Sequence, residues 1–205
     1  MESISVEKTV NGPDGLPRCG WCGQVAEFFP YHDREWGFPV ADDQRLFEKL
    51  CLESFQSGLS WRTILAKREN FRSAFARFDF HRVAEFGEAD VERLLQDAGI
   101  IRHRGKIEAV INNARRALEL VEKEGSIAAF VWKYEPESQP EPQSQTTSPE
   151  SVALSKELKK RGWKFVGPTT VYSFMQAMGL VNDHLHACVS REQIDQARQQ
   201  FQRPV

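Results

Sequence analysis

Apolar residues recur at helical spacing along most of the chain, and this pattern predicts an all-α protein. With Asp42 or Asp43 as N-cap, Leu46, Phe47, Leu50 and Cys51 share one face of a helix that ends near Glu53. Further helices are expected over roughly 62–76 (Ile64, Leu65, Phe71, Phe75), near 80–86, and over 89–98, stopped by Gly99. Another covers roughly 105–122, with Ile107, Val110, Ile111, Ala114 and Leu118 in register. Residues 158–170 read as a helix closed by Arg161-Gly162, a hairpin of about five residues, and a second helix opened by Pro168. That helix carries Val171, Phe174, Met175 and Met178 on one face and stops at Gly179. Ile194, Ala197 and Phe201 could make a weak helix in the tail, and no stretch alternates like a strand.

Three segments fall outside the pattern. Residues 1–17 are polar, with Gly and Pro, and are expected to be a mobile extension. Residues 135–150 are rich in Pro, Gln, Ser and Glu and read as a loop without a core of its own. Residues 189–205 form a polar tail. What remains, residues 18–188, is expected to be a single domain, and 205 residues suffice for one good core. Monomer is the default expectation, since no other oligomeric state is readable.

Charge changes the picture only through its distribution. The net charge is −2, yet residues 134–150 contribute Glu135, Glu137, Glu141 and Glu150 and no base. Basic residues gather at 102–106 and at 156–164, so the average does not exclude a nucleic-acid partner. Gly167, beside the start of a helix, frees backbone amides to approach an anion. An ordinary αα-hairpin with a solvated basic face fits these two features equally well. No stretch approaches the roughly 20 apolar residues of a membrane span, and residues 1–17 hold no secretory h-region. Scattered cysteines without an export signal point to thiols or metal ligands in the cytoplasm.

Candidate chemistry concentrates in two places. His184 and Cys188 are four apart, and Cys19 and His32 lie at the other end of the chain. Two Cys and two His would complete a tetrahedral structural zinc site joining the first and last parts of the domain. Cys22 forms a Cys-x-x-Cys with Cys19, so from spacing alone it competes with His32, or makes a redox pair. Cys51 reads as a small buried hydrophobe. The second place is aromatic: Trp21, Tyr31 and Trp36 stand within 16 positions, near the metal candidates.

Six motifs occur in order: Cys-Gly-Trp from Cys19, Tyr-His-Asp-x-Glu-Trp-Gly from Tyr31, Leu-Glu-x-x-Gln-x-Gly-Leu-Ser-Trp from Leu52, Asp-Ala-Gly-Ile-Ile-Arg-His-Arg-Gly-Lys-Ile from Asp97, Lys-Phe-Val-Gly from Lys164 and Leu-Val-Asn-Asp-His from Leu180. Over roughly residues 18–188 the chain resembles the 3-methyladenine DNA glycosylase I family. That resemblance implies a helix-hairpin-helix glycosylase of base excision repair, acting on double-stranded alkylated DNA, with one structural zinc held by Cys19, His32, His184 and Cys188. It makes Glu53 the pocket acid, Tyr31 the hydroxyl at the base edge and Trp61 the stacking ring, with Trp21 and Trp36 as further walls. Gln56 and Leu59 would fill the gap left by a flipped nucleotide, and Lys164, Val166, Gly167 and Thr169 would hold the DNA backbone. Arg102, His103, Arg104 and Lys106 are candidate phosphate contacts.

The implied chemistry suits these residue types. A purine methylated on N3 is a cation that leaves the sugar as a neutral base, so the bond is already weak and the demand falls on recognition. A flat cation calls for aromatic walls and a carboxylate. Superfamily members generally carry a catalytic aspartate where this chain has Val181-Asn182, and lyase members carry a lysine where it has Pro168 and Thr169. A monofunctional glycosylase is therefore expected, with Asp183 supporting His184 from behind. A damage sensor that binds without cleaving, or a zinc redox protein built on Cys19 and Cys22, would be the alternatives; neither explains the full set of motifs.

Overall fold

The computed structural model describes residues 8–205, which form eleven helices and one small sheet. The chain starts with strands β1 (Thr9–Asn11) and β2 (Pro17–Cys19), paired antiparallel with Thr9 opposite Cys19. Residues 8–17 are thus not the mobile extension expected; residues 1–7 of that expectation lie outside the described residues. The turn between the strands is built by Gly15, at φ 78°, and by Asp14, whose carboxylate accepts from the Leu16 amide at 3.1 Å.

Helix α1 (Phe28–Arg34) precedes α2 (Asp43–Gln56), which is capped by the Asp42 carboxylate accepting from the Arg45 amide. The single helix expected over 62–76 is two, α3 (Trp61–Ala66) and α4 (Arg68–Ala74), broken at Lys67. The Lys67 ammonium leaves the helical path to reach the carbonyls of Ala98 and Gly99 at 3.1 and 3.3 Å. Then follow α5 (Phe80–Ala84), α6 (Glu88–Gln96), α7 (Arg104–Glu124) and α8 (Ile127–Val131).

Helix α9 (Pro149–Lys160) starts on the Ser148 cap, and α10 (Pro168–Ala177) starts on Pro168. Between them Gly162, at φ 84°, closes α9: its amide bonds the Lys159 carbonyl and the Trp163 amide bonds that of Leu158. The tail is more than a weak helix. Helix α11 (Arg191–Gln200) buries Ile194, and its Arg198 bonds the Gly179 carbonyl and pairs with Glu135 at 2.7 Å.

Helix α2 runs through the middle, packed by α3, α7, α8 and α10, and α9 lies against α10. One apolar cluster extends from Cys19 to Cys188. Burying the inner face of α2 leaves its polar residues at positions 49, 53 and 54 inside the protein as well. No helix among the described residues is long and apolar enough to cross a membrane.

Candidate active site

The last turns of α2 carry Glu53 and Gln56 to the wall of a cavity of about 370 Å³. Trp21, Tyr31, Trp36 and Trp61 line the same cavity, together with Phe28. Their rings form a chain of contacts, Trp21 to Trp36 at 5.0 Å and Tyr31 to Trp61 at 5.5 Å between centroids. Five of the expected pocket residues and Gln56 are therefore together. Leu59 is not in the wall. It stands 40% exposed on the turn made by Gly58, at φ 78°, outside the core.

Lys49, which the sequence reading passed over, lies at the centre of the polar contacts. Its Nζ is 2.8 Å from Glu53 Oε1, donates to the Tyr31 hydroxyl at 2.6 Å and sits 3.6 Å from the centroid of the Trp61 ring. The spacing of Lys49 to Glu53, i and i+4 on a helix, was the signal available. Burial lowers the Lys49 pKa, against the pull of Glu53, and burial raises that of Tyr31 well above 10. Tyr31 thus keeps its proton at neutral pH. Glu53 is 6% exposed, and its Oε2 has no hydrogen-bond partner among the described residues.

Asp183 also lines the cavity and does not support His184 as expected. Its carboxylate accepts from the Gln143 amide at 2.7 Å and from Gln176 Nε2 at 2.6 Å, and burial raises its pKa. The first of those bonds pins the segment expected to be a loop without a core of its own, and Gln143 and Gln145 stand in the cavity wall. Gln139 adds a second tie, its side-chain oxygen accepting from the Asn182 amide at 2.8 Å.

Behind Trp36 the side chains of Cys19, His32, His184 and Cys188 converge, all buried, with their ligand atoms within 4.8 Å of one another. His184 Nδ1 lies 3.3 Å from Cys188 Sγ and 3.8 Å from Cys19 Sγ, and His32 Nε2 is 3.5 Å from Cys188 Sγ. A tetrahedron with metal–ligand bonds of about 2.0–2.3 Å has edges of about 3.3–3.8 Å, so this set fits a metal. The far nitrogens are held as metal-bound histidines require: His32 Nδ1 by Asp33 at 2.7 Å, His184 Nε2 by the Trp36 carbonyl at 2.9 Å. Cys22 is buried outside this group, its thiol pushed up to about 12 by burial. Cys51 is buried in the core.

The hairpin between α9 and α10 has its carbonyls turned inward. Those of residues 164, 165 and 166 accept from Asn113, Ser54 and Ser155 at 2.9, 2.9 and 2.6 Å. The amides of Phe165, Val166 and Gly167 have no hydrogen-bond partner among the described residues. Lys164 and Thr169 are exposed, whereas the Val166 side chain is fully buried and offers only its backbone. Phe165, unmarked in the sequence reading, projects 41% exposed at φ 55°.

The basic run at 102–106 is largely used internally. His103 caps α7, and Arg104 pairs with Glu88, Glu92 and Glu108. Lys106 is buried and donates to the carbonyls of Phe55 and Ser57 at 2.9 and 2.6 Å, with its pKa lowered by burial. Arg161 is likewise paired, with Glu124 and Glu157.

These features coincide with known proteins. Residues 21–192 match the family model described as methyladenine glycosylase. The chain belongs to that family. It is 53% identical over 180 residues to DNA-3-methyladenine glycosylase 1 of Escherichia coli K12, covering 84% of this chain and 96% of that protein. Among solved structures, a 3-methyladenine DNA glycosylase I superposes with a TM-score of 0.80 at 53% identity, over 84% of this chain and 98% of the other. A tyrosine-to-phenylalanine variant of such an enzyme, in complex with 3-methyladenine, matches with a TM-score of 0.77 at 38% identity over 82% and 94%.

Because Lys106 holds two carbonyls at the end of α2, Lys106→Met should lower stability by about 1–3 kcal/mol in urea unfolding. An unchanged unfolding midpoint would contradict that role.

Proposed function

We propose that the chain is a monofunctional DNA glycosylase that hydrolyses the N-glycosidic bond of 3-methyladenine in alkylated duplex DNA. The observation that carries this reading is Glu53, which has no hydrogen-bond partner for Oε2 among the described residues, in the wall of a cavity lined by tryptophan and tyrosine rings. The flipped cation stacks between aromatic walls, with Glu53 Oε2 as acceptor and Tyr31 as donor at its edge. Water adds to the sugar C1′ as the bond to the base breaks. The bonding electrons neutralise the departing purine, and the attacking water gives its proton to solvent. The fixed carboxylate favours the positive charge that develops on the sugar as the base departs.

The hairpin serves as a helix-hairpin-helix phosphate clamp. The amides of Phe165 to Gly167, the Thr169 hydroxyl and the Lys164 ammonium would take one phosphate between them. Exposed Leu59, with Gln56 beside it, fills the space that the extruded nucleotide leaves. The protein works as a monomer in the cytoplasm on damaged duplex, and the abasic site it leaves stays uncut.

Cys19, His32, His184 and Cys188 would hold one structural zinc. With four protein ligands no position remains for a reacting water, so the metal's contribution is cross-linking.

Two measurements test this reading. On N-methylated duplex DNA the protein should release 3-methyladenine selectively over 7-methylguanine, without cutting the strand unless heat or alkali is added. Glu53→Gln should slow release roughly 10- to 100-fold. Binding without release, or strand cleavage by the pure protein, would contradict the assignment. Metal analysis should find one zinc per chain, kept by Cys22→Ser and lost by His32→Ala; the opposite pattern would overturn the ligand set.

A further inference from the structure

We propose that Lys49 is a positioning residue for this pocket, holding the Glu53 carboxylate by one oxygen and directing the Tyr31 proton toward the base. The inference rests on the glycosylase reading above. Tyr31 and Trp61 line both the main cavity and a smaller one behind it, whereas Lys49 lines only the smaller. The two rings therefore screen the ammonium from the base, while Glu53 reaches it across their edge at 2.8 Å.

Other acids near Lys49 are already paired. Glu35, beyond α1, is held by Arg68 of α4 at 2.6 and 3.0 Å, and Glu48 of α2 is held by Arg72 at 2.7 Å. Arg45 lines the same small cavity, and Arg62 and Asp183 face Glu53 from the main one. That leaves Glu53 as the acid for Lys49. A carboxylate this buried keeps its charge only with a partner. Binding Lys49 through Oε1 leaves Oε2 for the base, and does so before the base arrives.

The same ammonium fixes the tyrosine. It donates to the Tyr31 oxygen at 2.6 Å, which occupies that oxygen as an acceptor and leaves the hydroxyl proton to point elsewhere. One lysine thereby sets an acceptor and a donor at two points of the pocket.

The test is base release by wild type, Lys49→Met and Lys49→Arg, with kcat and KM read separately. In Lys49→Met kcat should fall at least about tenfold, with KM for DNA within about twofold. Lys49→Arg, which keeps the charge and a donor, should restore much of the lost kcat. In a Glu53→Gln background, Lys49→Met should cost much less, because the acceptor it positions is gone.

A folded Lys49→Met protein with the wild-type kcat would overturn the proposal. If Lys49→Met does not fold, the wild type is decisive. The ¹⁵N signal of Lys49 Nζ should be that of an ammonium between about pH 5 and 8, and a neutral amine there would overturn the proposal too. Failure of the glycosylase reading looks different: wild type would release no base at any pH, and the nitrogen signal would still report on the pair.

Discussion

A carboxylate that must meet a cation inside an aromatic pocket has to be kept charged before the cation comes. In water this is free; at 6% exposure it is not, and an unpaired buried charge is driven to neutralise. Under the proposed function, that constraint is met on one helix. Helix α2 supplies Glu53 and, one turn earlier, Lys49, and packing on its other faces fixes both. Removing one member of such a buried pair typically costs about 3–5 kcal/mol, because the other is left as an uncompensated buried charge. Lys106 then ties the end of α2 and the turn beyond it, where Leu59 projects.

The Cys/His cluster shares a wall with the pocket. Trp36 gives its carbonyl to His184, and its ring lies 4.6 Å from that imidazole and 5.0 Å from Trp21. The four side chains come from β2, α1 and the segment after α10, so drawing them together also draws the aromatic walls into place. The segment after α10 does two jobs: His184 and Cys188 point into the cluster, while Asp183 faces the cavity and holds the glutamine-rich loop against it.

Much of this was legible in the sequence. The long helices follow from their apolar spacing, because burial of one face dominates each of them. Residue type and spacing nominated Cys19, His184 and Cys188 but left Cys22 and His32 in competition, which the family resemblance resolved toward His32, and the rings at 21, 31, 36 and 61 came from their motifs. The features that escaped depend on tertiary partners. The break falls at Lys67, whose side chain contacts two carbonyls 31 and 32 residues away, and nothing local marks it. The segment 135–150 read as a loop without a core of its own because its ties run from the Gln143 amide to Asp183, from glutamine side chains to backbone, and from Glu135 to Arg198, which composition does not reveal. The charges of Arg104, Lys106 and Arg161 counted toward a basic surface in the sequence, and each is bound internally. The strands β1 and β2 are only three residues long, too short for alternation to register, though Gly12-Pro13-Asp14-Gly15 was a turn signal.

The central claim is that the cavity beside Glu53 receives the methylated base. A crystal structure of the protein with free 3-methyladenine tests it most directly. The account predicts the purine in the cavity of about 370 Å³, stacked on Trp61, with Glu53 Oε2 and the Tyr31 hydroxyl within hydrogen-bond distance of its edge. A base bound elsewhere on the molecule, or a cavity still empty at saturating 3-methyladenine, would contradict it.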